Sequence, residues 1–191
     1  IKFFGADGFK LEDAIEAKIE ALLETGANDS IRPTVLDIGK TKKLEDARGR
    51  YVQFVKTAFD PKLSLDGLKL VVDCANGAGY VVAPTILEEL GAEVVRIGVT
   101  PDGKNINAEC GAVNPGLLQT VVQTHEAHAG IALDGDADRV IIVDEKGEIV
   151  DGDAVMAICG RDLIQKNRRA KNTVVSTVMS NIGLERARGE V

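Results

Sequence analysis

The run Ala132-Leu133-Asp134-Gly135-Asp136-Ala137-Asp138-Arg139-Val140 sets three carboxylates at alternate positions, then an arginine, with apolar stretches on either side. Like charges this close repel, and the repulsion costs stability unless a cation sits among them. Oxygen ligands on a short, glycine-bearing loop suit a hard divalent ion, with Mg²⁺ favoured. Three monodentate carboxylates would leave octahedral positions open to water or to a phosphate oxygen. A strand that runs straight into such a loop puts it at the strand's carboxyl end, where open α/β sheets bind ligands.

Three other readings of the same residues compete. A calcium loop of the D-x-D-x-D type needs glycine at its sixth position, and here that residue is Arg139. Glu145 stands where the last calcium ligand would be, but the apolar run Val140 to Val143 intervenes, and this reading fails. A haloacid-dehalogenase-like phosphatase would use Asp134 as nucleophile and Asp136 as acid. That pattern continues with Thr or Val where this chain has Asp138, which weighs against it and leaves it standing. A solvated acidic turn is the bland alternative, opposed by the strict spacing and the strand-like flanks.

The elements that must position this loop are legible as periodicities. Leu11, Ile15, Ile19, Leu22 and Leu23 recur at helical spacing over 11–25, with Gly26 as a stop. Residues 27–44 lose the pattern and read as a linker. A second helix follows, with Ala47, Tyr51, Phe54, Val55 and Ala58 on one face. From Leu68 onward, strands are expected over 68–73, 93–97, 129–133, 139–144 and 173–178. Helices are expected over 80–90, 115–127, 153–166 and from about 181. The alternation predicts a layered α/β fold with a mostly parallel sheet. Glu145-Lys146-Gly147-Glu148 reads as a hairpin turn, which adds one antiparallel pair at an edge.

Composition narrows the partners. Thirty acidic against 23 basic residues, no Trp and few other aromatics oppose a nucleic-acid surface, which needs clustered cations and stacking rings. No apolar run is long enough for a membrane span and no basic leader is present. Cys74, Cys110 and Cys159 are odd in number and widely spaced, which fits a reducing cytoplasm and buried thiols for the first two. Gly77 and Gly79 follow a strand but lack the third glycine of a dinucleotide fingerprint, so a tight turn is the expectation. His125 and His128 read as surface residues, and Asp153 as the N-cap of the helix it opens. The chain starts Ile1-Lys2-Phe3-Phe4 in what reads as mid-strand and ends in the first turns of a helix. It is expected to be a piece of something larger.

The wording Asp134-Gly135-Asp136-Ala137-Asp138-Arg139 resembles the metal-binding loop of the α-D-phosphohexomutases, with Ala137 where glycine is commoner. A methyl group there is tolerable if the backbone is not left-handed. Val71 to Gly79, Asn105 to Ala112 and Val178 to Leu184 are similar to that family too. The resemblance implies a layered α/β/α domain with a mostly parallel mixed sheet, like the family's second domain. It divides the chain into the end of a first domain (1–45), a complete second domain (46–170) and the start of a third (171–191). It implies Mg²⁺ on Asp134, Asp136 and Asp138, with Arg139 supplying positive charge near a phosphate. Lys2 matches a lysine proposed to transfer protons in the family. The implied reaction interconverts glucosamine 6-phosphate and glucosamine 1-phosphate through a phosphoserine and a bisphosphate, with the serine outside this chain. The implied partners are a phosphorylated amino sugar and, for the whole protein, room for a homodimer. The rival from another class is a non-catalytic metal-binding module.

Overall fold

The computed structural model describes residues 3–24, 32–166 and 173–184. The chain divides into two compact units, Ile1–Leu44 and Glu45–Val191. In the first, Phe4 bridges Lys10 across a turn, and helix α1 follows over Asp13–Glu24. Its apolar positions Ile15, Leu22 and Leu23 are exposed within the unit, and no α1 residue is buried. Lys2 and the Gly26 stop lie outside the described residues.

The second unit is built on a five-stranded sheet of β1 (Lys69–Asp73), β2 (Glu93–Ile97), β3 (Ala129–Leu133), β4 (Val140–Asp144) and β5 (Ile149–Val150). The spatial order is β2-β1-β3-β4-β5, with β1 parallel to both β2 and β3. The β3–β4 and β4–β5 pairs are antiparallel, so the sheet is mixed. Helix α2 spans Ala47–Lys56, α3 Val82–Glu89, α4 Gly116–Thr124 and α5 Gly152–Gln165. The chain steps from β1 to β2 in one direction and from β2 to β3 in the other. Right-handed crossovers then put α3 and α4 on opposite faces of the sheet. That is why β1 is buried along almost its whole length. Leu118 and Val122 of α4 pack with Val71, Ala132 and Val143 of the sheet into one apolar core. The approach is close enough that a Cβ on Gly130 would lie 2.7 Å from Val122 and 2.8 Å from Leu118.

Four strands match the periodicity to within a residue, because their apolar runs are bounded by turn residues. The fifth expected strand does not form: residues 173–177 carry no regular structure and 178–179 form a turn. Its apolar Val175, Val178 and Met179 are exposed, with no neighbouring strand to pair them among the described residues. The antiparallel partner at that edge is instead β5, joined to β4 through the turn foreseen at 145–148. The α2 face is also corrected. Val52 is the residue of α2 that is buried, while Tyr51 and Phe54 are exposed. Asp151, not Asp153, caps α5, its carboxylate accepting from the Ala154 amide at 2.7 Å. Asp153 accepts from the Asn181 amide at 2.8 Å. The sheet ends on β2 at one edge, where Arg96 Nε donates to Glu88 Oε1 at 3.0 Å. No helix among the described residues is long and apolar enough to cross a membrane.

Cys74 and Cys110 are buried and Cys159 is exposed. Burial, reinforced by the neighbouring Asp73 carboxylate, pushes the Cys74 thiol up to about 12, and burial raises Cys110 as well. An exposed thiolate attacks the disulfide of an exchange reagent and expels its other half as a thiolate, whereas a buried thiol does not. At pH 8 the folded chain should therefore react at one thiol and the denatured chain at all three, measured by Ellman titration and peptide mapping. Prompt native labelling of Cys74 would contradict this packing.

Candidate metal centre

β3 and β4 are in register from Leu133 opposite Val140, so residues 134–139 are a six-residue hairpin loop. The Asp134 amide closes it on the Arg139 carbonyl at 3.3 Å, and the Ala137 amide donates to the Asp134 carbonyl at 3.0 Å. Asp134 is 2% exposed. Its Oδ1 accepts from the amides of Asp138 and Arg139, both at 3.1 Å. Its Oδ2 accepts from Arg139 Nε at 2.8 Å. Burial pushes the Asp134 carboxyl up, but the Arg139 amide and guanidinium together with the Asp138 amide outweigh it and hold the group below the ordinary carboxylate range. The first carboxylate of the motif is thus also the staple that shapes the loop.

Asp136 and Asp138 are exposed, and one oxygen from each of the three aspartates lies within 4.8 Å of the others. Around an octahedral Mg²⁺ with bonds of about 2.1 Å, ligand oxygens stand roughly 3.0 Å apart when adjacent and roughly 4.2 Å when opposite. The donors are all carboxylate oxygens, so the residues present fit a hard divalent cation and not a soft one. A phosphatase using Asp134 as nucleophile would have to free Oδ2 from the Arg139 guanidinium and uncover a residue that is 2% exposed.

The loop does not stand alone. β1, β2 and β3 deliver their carboxyl ends to one edge, where the segments that follow them meet the acidic loop. The Ala78 amide donates to the Gly135 carbonyl at 2.8 Å, and the Ala112 amide to the Leu133 carbonyl at 2.9 Å. A side chain on Gly77 would collide with the Gly135 backbone, whose Cα lies 2.7 Å from the Cβ position. From the other side, a Cβ on Gly135 would meet Ile106 at 2.7 Å and Asn107 Nδ2 at 2.9 Å. The expected tight turn at Gly77 and Gly79 is therefore also a bearing surface for the acidic loop.

Three residues that carried no chemical signal in sequence hold these segments together. Asp73 is fully buried; its Oδ1 accepts from the Ala75 amide at 2.9 Å and its Oδ2 from the Gly111 amide at 2.7 Å. Asn76 accepts from the Thr100 amide at 3.1 Å and donates to the Asn105 carbonyl at 3.4 Å. The Asn107 amide donates to the Ala75 carbonyl at 2.9 Å, while Asn107 Oδ1 is buried without a hydrogen-bond partner. The backbone is left-handed at Ala75, Asn76, Asn107 and Glu109, a concentration of strain that marks functional loops. His128 is exposed, yet its Nδ1 accepts from the Lys69 amide at 2.9 Å at the far end of β1.

Ala137 has φ +61°, so the condition under which its methyl group is harmless is not met. An L-residue in this region costs roughly 1–2 kcal/mol, and glycine does not pay it. Ala137→Gly should raise stability by about 0.5–1 kcal/mol after the added freedom of the unfolded chain is counted, read from the urea midpoint. A loss of stability would show that the methyl contributes packing that outweighs its strain. Asp73→Asn replaces an acceptor with a donor facing an amide, and should cost roughly 2 kcal/mol in the same assay. A change below about 0.5 kcal/mol would remove Asp73 as the tie between the segments.

The family model described as phosphoglucomutase/phosphomannomutase, alpha/beta/alpha domain II matches residues 49–147, more than half of the chain. The model for domain III of the same family matches residues 151–190. A phosphoglucosamine mutase of Myxococcus xanthus is 60% identical over 187 residues, 98% of this chain and 41% of that protein. One from Anaeromyxobacter is 60% identical over 191 residues, again 98% of this chain and 41% of the relative. The chain thus spans about two fifths of the length of these relatives. A crystal structure of a phosphoglucomutase/phosphomannomutase family protein from Burkholderia thailandensis superposes with a TM-score of 0.60 at 25% identity, covering 82% of this chain and 32% of that one.

Proposed function

The chain belongs to the phosphoglucomutase/phosphomannomutase family, and from that premise we propose that it is the metal-binding portion of a phosphoglucosamine mutase. The substrate class is a glucosamine phosphate, interconverted between its 6- and 1-phosphates. The observation that carries the reading is the set of three carboxylates within 4.8 Å on a buttressed hairpin, in a chain 60% identical to phosphoglucosamine mutases. The matched segments support drawing the passage from second to third domain at about 148–151, ahead of α5, instead of at 170.

Phosphoryl transfer depends chiefly on positioning and on neutralising charge. Asp134, Asp136 and Asp138 would hold Mg²⁺, which supplies Lewis-acid stabilisation of phosphoryl oxygens when bound. Asp134 is fixed by two amides, so the loop would keep its shape as charge develops on a phosphoryl group. Arg139 carries a permanent cation at the rim and offers directed N–H donors to a phosphate. Gly77 and Asn107 hold the loop between them and limit its movement. Lys2 is proposed as a proton-transfer residue on the family resemblance alone.

Asp136→Asn in the full-length protein should lower conversion of glucosamine 6-phosphate at least a hundredfold, followed by ³¹P NMR, with little change in melting temperature. A fall of less than twofold would remove the metal assignment. Full activity on glucose or mannose phosphates with none on the amino sugar would keep the centre and overturn the substrate class.

A further inference from the structure

We propose that Arg139 is a stand-in cation: it neutralises the aspartate cluster while no metal is bound, and it must leave Asp134 for the ion to be fully held. The inference rests on the metal reading above and concerns what this chain's own arginine does before the metal arrives. Its starting point is a conflict of placement. A residue meant only to hold a phosphate would point away from the carboxylates, but Arg139 Nε donates to Asp134 Oδ2 at 2.8 Å and lies 3.7 Å from Asp138 Oδ1. One guanidinium therefore touches two of the three carboxylates at once.

The oxygens of Asp134 have little capacity to spare. Oδ1 already serves two amides and Oδ2 serves the guanidinium. A second lone pair remains on Oδ2. A divalent ion using it would stand beside a fixed positive charge, and that repulsion falls on the most buried ligand of the set. The amides at 138 and 139 are part of the loop's own turn and cannot withdraw without unmaking it. The arginine is the partner that can move. Its side chain is 69% exposed, so it swings through water and not through packed core. An ion pair with one partner so exposed is weak enough for a divalent cation to replace.

Exchange of one cation for another gives the loop two arrangements: three carboxylates and one guanidinium carry a net charge of −2, and a divalent ion brings the set to zero. With the arginine on Asp134 the carboxylates are held together and the hairpin stays closed. With the metal in place the guanidinium is released at the rim, and its Nε donor is freed for an anion. The order matters: the Nε donor, which Arg139 spends on Asp134, becomes available to a phosphate only when the site is loaded. A loop without metal would then bind phosphate esters weakly even though every side chain is present.

The test compares metal affinity and loop behaviour in the full-length protein. If the pair is closed four-fifths of the time or more, apparent affinity is reduced by that occupancy, and Arg139→Gln should bind Mg²⁺ about fivefold or more tightly by calorimetry. Arg139→Lys, which lacks the Nε donor, should fall between the two. The melting temperature of the metal-free variant should drop further than that of the metal-saturated one. In the unsubstituted protein, the ¹⁵N resonance of Arg139 Nε should shift and lose protection from exchange on saturation with Mg²⁺, a readout that survives if the variants fold poorly. Unchanged or weaker Mg²⁺ binding by Arg139→Gln, or an Arg139 Nε signal that ignores the metal, overturns the proposal while the metal reading stands. Absence of Mg²⁺ binding by the unsubstituted protein overturns both.

Discussion

A fully buried carboxylate at the end of a central strand is expensive to place unless its oxygens are hydrogen-bonded, and Asp73 is 0% exposed. Asp73 meets that cost with two backbone amides, one from the turn that follows its own strand and one from a segment 38 residues away. The constraint is geometric as well as energetic. Gly98 has to lack a side chain because a Cβ would lie 2.5 Å from Asp73 Oδ1. The same carboxylate thus fixes the exits of β1 and β2 and the approach of the 105–112 segment. The acidic hairpin rests on what those three have built.

The division of labour within the hairpin follows from burial. Asp134 is sunk to 2% exposure and spends its oxygens on shape, while Asp136 and Asp138 are exposed at the surface of the loop. Three identical residue types at alternate positions end in unlike environments because a hairpin loop turns successive residues to different sides. Ala137 sits left-handed between Asp136 and Asp138, so the strained residue of the loop lies between its two exposed carboxylates.

Much of this was legible in the chain and some was not, for reasons that differ. The strands β1 to β4 stood out because short β-branched runs between turn residues have few other solutions. The acidic triplet stood out because like charges at that spacing repel unless a cation sits among them. Asp73 did not, since one aspartate after an apolar run looks like any strand end until the partner amides are located. Asn76 and Asn107 were hidden for the same reason: their roles are carried by residues distant in sequence. The stretch 173–178 has strand composition, but composition cannot supply the neighbour whose backbone would pair with it. The α2 face was misjudged because aromatic Tyr51 and Phe54 look like core residues, whereas Val52 is the one turned inward. At α5 two aspartates bracket a glycine, and only the backbone reveals that Asp151 is extended and able to cap.

The two margins of the sheet bear on how the molecule behaves in a crowded solution. A long, flat, apolar edge is a template for pairing with strands of other chains. Here one margin is β5, two residues long. The other is β2, five residues interrupted by exposed Glu93 and by Arg96, which is tied back to Glu88 on α3. Neither offers an uninterrupted run for a foreign strand to copy. The sheet that carries the acidic hairpin is built against edge-to-edge aggregation at both of its sides.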